Sequence, residues 1–152
     1  MSFDLKIDEL EELKCVSEKI IVINDDEGKR RIKFRLINRH LISHCYIKSS
    51  AIITKGESCD YIIRKEGVDV KMLLELKGDG DKRKAVSQIR ATWNFLKMKY
   101  PMDFQTIYAI IITDRCVTPE LYRLDMVKLK VQCVKTGGDL FDIKSNVDFE
   151  LN

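Results

Sequence analysis

An α/β fold, a central mixed β-sheet flanked by helices, is what this chain of 152 residues predicts. Three observations carry the prediction. Runs of β-formers with period two recur through residues 19–77. A helical spacing of apolar residues covers 82–99, and a continuous apolar run at 105–113 has the character of a strand buried on both faces.

Taken in order, residues 3–18 place Phe3, Ile7, Leu10 and Leu13 at helical spacing with acids between them, which predicts an amphipathic helix. Residues 19–23 are β-rich, 24–28 form a turn, and 30–37 alternate basic residues with Ile32, Phe34 and Leu36. Together they predict a β-hairpin. β-formers return at 46–53 around Ser49-Ser50, and Lys55-Gly56-Glu57-Ser58 turns the chain into a strand at 59–64. A second turn, Lys65-Glu66-Gly67, leads to a strand at 70–77. Asp81 is placed to cap a helix over 82–99 whose apolar face is Ala85, Ile89, Trp93 and Leu96, with Pro101 ending it. Thr118-Pro119-Glu120 opens a further helix to about Lys130, and Gly137-Gly138 turns the chain into a last strand near 140–143. No repeat or linker interrupts the pattern, so residues 1–152 are expected to form a single domain.

Composition narrows the class. Hydrophobic residues make up 45% and charged ones 34%, and no apolar run approaches a membrane span. The acidic N-terminus does not read as an export signal, so a cytoplasmic location is expected. Five cysteines without a CxxC pair or metal-ligand spacing predict free thiols in a reducing compartment, and no zinc site. Net charge is only +3, but it is unevenly placed. Residues 1–18 hold six acids and two bases, whereas 19–48 hold eight Lys/Arg against three acids. Arg30, Arg31, Lys33 and Arg35 form one basic segment and Lys82, Arg83 and Lys84 another. Any single charge run is most simply a solvated face; two that flank acids are what a polyanion would need.

The acids in question are Asp60 and Glu75, the latter in Glu75-Leu76-Lys77. They lie in or beside apolar strands, where an unpaired charge costs several kcal/mol. Period two puts Glu75 and Lys77 on one face, with Leu74 and Leu76 on the other. A surface ion pair of Glu75 with Lys77, or of Asp60 with Arg64, would satisfy the same residues.

Asp on one strand, Glu-x-Lys on the next, then a helix and another buried strand: over residues 45–113 the chain resembles the core of the PD-(D/E)XK nuclease superfamily. This is the restriction-endonuclease-like fold of restriction enzymes, Holliday-junction resolvases and repair nucleases. The resemblance implies a metal-dependent phosphodiesterase in which Asp60 matches the first acid, Glu75 the second and Lys77 the lysine. Cys59 stands where the motif's name has proline, and Gln88 matches the Gln or Lys that many members carry on the following helix. The predicted helix at 3–18 would be the leading helix of the fold, and Glu9, Glu11 and Glu12 would offer an extra ligand. An acidic helix face is more often simply solvated.

The chemistry explains the residue types. Hydrolysis of a phosphodiester needs a hard cation to neutralise charge and lower the pKa of the attacking water. Mg²⁺, with Mn²⁺ as a substitute, takes oxygen ligands, which Asp60, Glu75 and the Leu76 carbonyl could give. Lys77 would orient water or stabilise phosphate charge, with Gln88 and Lys84 in support. The expected substrate is nucleic acid, DNA first, in repair, recombination or defence. A homodimer or partner subunit is expected because cutting two strands needs two sites. The alternative is a non-catalytic nucleic-acid- or protein-binding module on the same fold; a third reading is a structural protein with an ion-paired edge strand. Glu57, and His40 with His44, read as surface residues, Trp93 and Phe95 as packing residues, and Cys59 as a small buried hydrophobe rather than a nucleophile.

Overall fold

Alternating residues pair into two stacked sheets in the computed structural model, which describes residues 12–25, 32–78, 82–99, 105–114 and 123–151. The larger sheet has the order β1 (Lys14–Val16), β4 (His44–Lys48), β5 (Tyr61–Lys65), β6 (Val70–Gly78), β7 (Thr106–Thr113), β8 (Asp139–Lys144). The smaller one is β2 (Ile20–Asn24), β3 (Lys33–Ile37), β9 (Asp148–Phe149). Strands β4, β5 and β6 form an antiparallel meander, whereas β6–β7 and β7–β8 are parallel. Parallel neighbours need a crossover, and the helices α1 (Lys82–Lys99) and α2 (Arg123–Lys135) stand in those two connections. The predicted α/β class with a central mixed sheet is therefore what the chain adopts.

Side-chain parity on β6 separates the layers. Leu73 packs with Ala85, Val86, Ile89 and Trp93 of α1 and Leu129 of α2. Met72, Leu74 and Leu76 point the other way, against Ile21, Ile23, Phe34 and Leu36 of the small sheet. The six-stranded sheet is thus covered by helices on one side and by three strands on the other. Each Leu or Ile so buried contributes roughly 1.5–3 kcal/mol. Strand β7 fills both cores, Ile107, Ala109 and Ile111 on the helix side and Ile110 and Ile112 on the other, as a continuous apolar run requires.

The end of α2 is set by backbone chemistry. Gly137 has φ +92°, its N–H donates to the Val134 carbonyl at 2.9 Å, and the Gly138 N–H donates to the Cys133 carbonyl at 3.0 Å. This double bond pattern closes the helix. Gly138 is needed for space: a Cβ there would sit 1.8 Å from the Ile107 carbonyl oxygen.

Several expectations are corrected. Residues 14–16 of the predicted first helix are a strand, because pairing with β4 outweighs local periodicity; residues 1–11 lie outside the described residues. The hairpin is present as β2–β3, with Ile21, Ile23, Phe34 and Leu36 inward, while residues 26–31 of its turn are not among those described. The run at 46–53 is a strand begun at His44 that passes into a 3₁₀ helix at Ser49–Ala51. Helix α1 has the predicted bounds, though Asp81 and Pro101 fall outside the described residues, as does the Thr118-Pro119-Glu120 start of the next helix. That helix runs on to Lys135, and β9 was not foreseen.

The cysteines differ too. Cys15 and Cys45 are joined in a disulfide, whereas Cys59 and Cys133 are free and buried, and Cys116 lies outside the described residues. No helix among the described residues is long and apolar enough to cross a membrane.

Candidate active site

Asp60 stands one residue before β5, exposed, opposite the last third of β6. Two hydrogen bonds tie it there: its Oδ2 accepts the Leu76 N–H at 2.7 Å, and its own N–H donates to Glu75 Oε1 at 3.1 Å. Its carbonyl accepts the Ser49 N–H at 3.0 Å, so the 3₁₀ turn braces it from the other side. The preceding N–H, of Cys59, donates to Thr92 Oγ1 on α1 at 2.8 Å.

Glu75 has the parity of Leu73 and lies under α1, only 3% exposed. Its carboxyl is pushed up to about 9, first by burial, then by the charge of Asp60 and a hydrogen bond between the two carboxyls; the Lys77 ammonium opposes the shift. Gln88 reaches the same carboxyl from α1. With its amide oriented to satisfy both ends, its nitrogen donates to Glu75 Oε2 and to the Lys84 carbonyl at 3.2 Å. Asp60, Glu75 and Gln88 therefore converge, with the Leu76 N–H engaged by Asp60 and the Lys77 charge acting on Glu75.

The donor set suits a hard divalent cation. Two carboxyls in contact resist joint ionisation, and an ion bridging them would relieve that cost with the oxygen ligands that Mg²⁺ takes.

Among the described residues, the predicted basic residues are split between two layers. Phe34 and Leu36 face the large sheet, so Lys33 and Arg35 of β3 face outward, one layer away from Glu75. Arg35 pairs with Asp148 at 2.8 Å, and the Lys33 N–H donates to Ser145 Oγ at 2.9 Å. Arg30 and Arg31 lie outside the described residues. The Lys82 ammonium is buried in a pair with Asp142, whereas Arg83 and Lys84 are exposed on α1, the helix that bears Gln88.

Other candidates resolve simply. Glu57 accepts a hydrogen bond from Ser87 Oγ at 2.8 Å, and Glu12 is exposed before β1; Glu9 and Glu11 are not among the described residues. His40 lies in a turn, whereas His44 is buried on β4 rather than at the surface, with Nδ1 2.9 Å from the Ile42 carbonyl, so the two do not share a helix face. Trp93 is in the core. Burial pushes the Cys59 thiol up to about 12, which keeps it protonated and unreactive.

Thr92 and Ser49, which hold the backbone on either side of Asp60, were not foreseen. A buried threonine in mid-helix, four residues after Gln88, was the available signal. In comparisons with protein-family models, curated proteins and solved structures, the chain finds no match.

Proposed function

We propose that the protein is a Mg²⁺-dependent nuclease on a restriction-endonuclease-like core, hydrolysing phosphodiester bonds of nucleic acid, DNA first. One observation carries the reading: the carboxyls of Asp60 and Glu75 meet beneath α1 with Gln88 hydrogen-bonded to one of them. The β4–β5–β6 meander, the α1 crossover and parallel β7 support this reading, since they follow one another in the order the resemblance implies.

In this reading Asp60 and Glu75 would hold the ion, which would supply charge neutralisation and an acidified water. Glu75 would give up its proton on binding. Gln88 fixes the rotamer of Glu75 through Oε2, as the Asp60 N–H does through Oε1, and the remaining lone pairs of the carboxylate would be the ones to ligate. Lys77, on the same face as Glu75, would offer an ammonium to the charge of the scissile phosphate. Arg83 and Lys84, exposed on α1, attract the backbone on either side of the cut.

The test is a cleavage panel of linear, circular, branched and single-stranded substrates with Mg²⁺ and Mn²⁺, run on wild type, Asp60→Asn and Glu75→Gln. Metal-dependent cleavage lost in both variants is the expected result; cleavage that survives both rejects the assignment. The placement of Lys33 and Arg35 on a layer remote from the acids favours one second reading, a nucleic-acid-binding module. It predicts salt-dependent affinity without cleavage by any variant.

A further inference from the structure

A second group of metal-ligating atoms lies at the other end of β5. Asp60 precedes that strand and Glu66 follows it, so six residues at roughly 3.3 Å each put about 20 Å between the two sites. Cys15 of β1 and Cys45 of β4 stand directly opposite in register, with Cα atoms 4.0 Å apart and their sulfurs bonded. The two sulfurs and a Glu66 carboxylate oxygen all lie within 4.8 Å of one another. Glu66 is held in place by its N–H, which donates to the Ser43 carbonyl at 2.9 Å.

The Glu66 side chain is informative. Its Oε1 is 3.1 Å from Cys45 Sγ, a hydrogen-bonding distance for sulfur. A sulfur in a disulfide has no proton to donate, so that approach gains nothing in the oxidised protein. It becomes favourable when Cys45 is a thiol, or when a cation lies between the sulfurs and the carboxylate. Arg64, opposite Cys45 on β5, brings Nη2 to 3.8 Å from the same carboxylate oxygen, and a guanidinium there favours thiolates. Cys15 is exposed, so an external reductant can reach the bond.

We propose that reduction of the Cys15–Cys45 disulfide by a dithiol opens a site for a borderline-soft divalent cation of the Zn²⁺ type. Its ligands are Cys15 Sγ, Cys45 Sγ and the Glu66 carboxylate, with water in the fourth position. The dithiol is oxidised to its own disulfide as the Cys15–Cys45 bond becomes two thiols. Binding of the cation then releases two protons, one from each thiol. At metal–sulfur bonds of about 2.3 Å in a tetrahedron the sulfurs must separate to roughly 3.8 Å, which side-chain rotation on adjacent strands supplies. The ligands come from strand register rather than from sequence spacing, which is why no motif announces them.

The site is separable from the acids, and so is its test. Co²⁺ serves as the probe, because thiolate ligation gives a near-ultraviolet sulfur-to-metal charge-transfer band that carboxylates do not. Reduced wild type, freed of reductant, should develop that band and lose it to added Zn²⁺; oxidised protein should not develop it. Cys15→Ser and Cys45→Ser should abolish it, Glu66→Gln should keep it with several-fold weaker affinity, and Asp60→Asn should leave it unchanged. Far-ultraviolet circular dichroism reports folding of each sample. The proposal is overturned if folded, reduced wild type shows no such band, if the band persists in Cys15→Ser, or if reduction itself unfolds the protein.

Discussion

Thr92 on α1 holds the backbone of Cys59, accepting its N–H at 2.8 Å while its hydroxyl donates to the Gln88 carbonyl at 2.9 Å. One side chain thus fixes the distance between the strand entry that carries Asp60 and the helix turn that carries Gln88. Thr92→Val keeps the shape and leaves the buried Cys59 N–H unsatisfied, which costs about 1–3 kcal/mol. Denaturant unfolding should show that loss, and metal-dependent cleavage should fall with it. Thr92→Ser should restore both; a valine variant as stable and active as wild type would count against the positioning role.

Glu75 makes stability depend on pH in an unusual direction for an acid. Its carboxyl rises from 4.5 to about 9 in the folded state, so between those values the native protein holds a proton that the unfolded chain has lost. The contribution is fully present below the unfolded value and fades as pH rises toward the folded one, by up to about 1.4 kcal/mol per pH unit. Glu75→Gln should remove this slope and be more stable than wild type near the alkaline end, without metal. Urea melts at the two ends of the interval decide it; equal slopes in both proteins would show that Glu75 titrates normally.

In the proposed reading the same proton competes with the cation. Mg²⁺ affinity should therefore rise with pH through this interval, and binding should release close to one proton near neutrality. Calorimetry in buffers of different ionisation enthalpy measures the release directly. Heat independent of the buffer would mean that Glu75 is not a ligand or is already ionised.

Lys82 should behave as a structural residue although it lies in a basic run. Its ammonium is buried against Asp142 of β8, so Lys82→Met should lower stability by about 1–3 kcal/mol. Lys84→Ala should leave stability unchanged and weaken nucleic-acid binding, with a smaller dependence on salt. A stability loss in Lys84→Ala and none in Lys82→Met would reverse the assignment.

Gly138→Ala offers a purely steric test. The added Cβ would lie 1.8 Å from the Ile107 oxygen, so the start of β8 must move away from β7. A loss above about 2 kcal/mol in thermal or denaturant unfolding is expected.

Legibility in the sequence followed the range of the interaction. Helix α1 was readable from Ala85, Ile89, Trp93 and Leu96 alone, since their spacing is local. Period two likewise put Glu75 and Lys77 on one face. Alternation at Lys33 and Arg35 also showed that they oppose Phe34, but not that Phe34 would seat on the far side of the sheet from α1. That is a choice between layers, made by tertiary packing. β1 and β9 were hidden because three and two residues carry no period, and each exists through a distant partner. An odd number of cysteines could not reveal that Cys15 and Cys45 meet across a ladder.

The two ends of β5 also differ in how readily they come apart. Strands β5 and β6 are hydrogen-bonded on both edges and buried on both faces, so their amides should exchange with solvent only on global unfolding. Among the described residues, β1 is three residues long at the margin of the sheet and pairs with one strand, β4. Once the sulfur bond is cut, its opening is a local event of low free energy. Glu75 is therefore mounted on the slowest-exchanging part of the molecule, and one of the two sulfurs on an edge strand that can open without disturbing it.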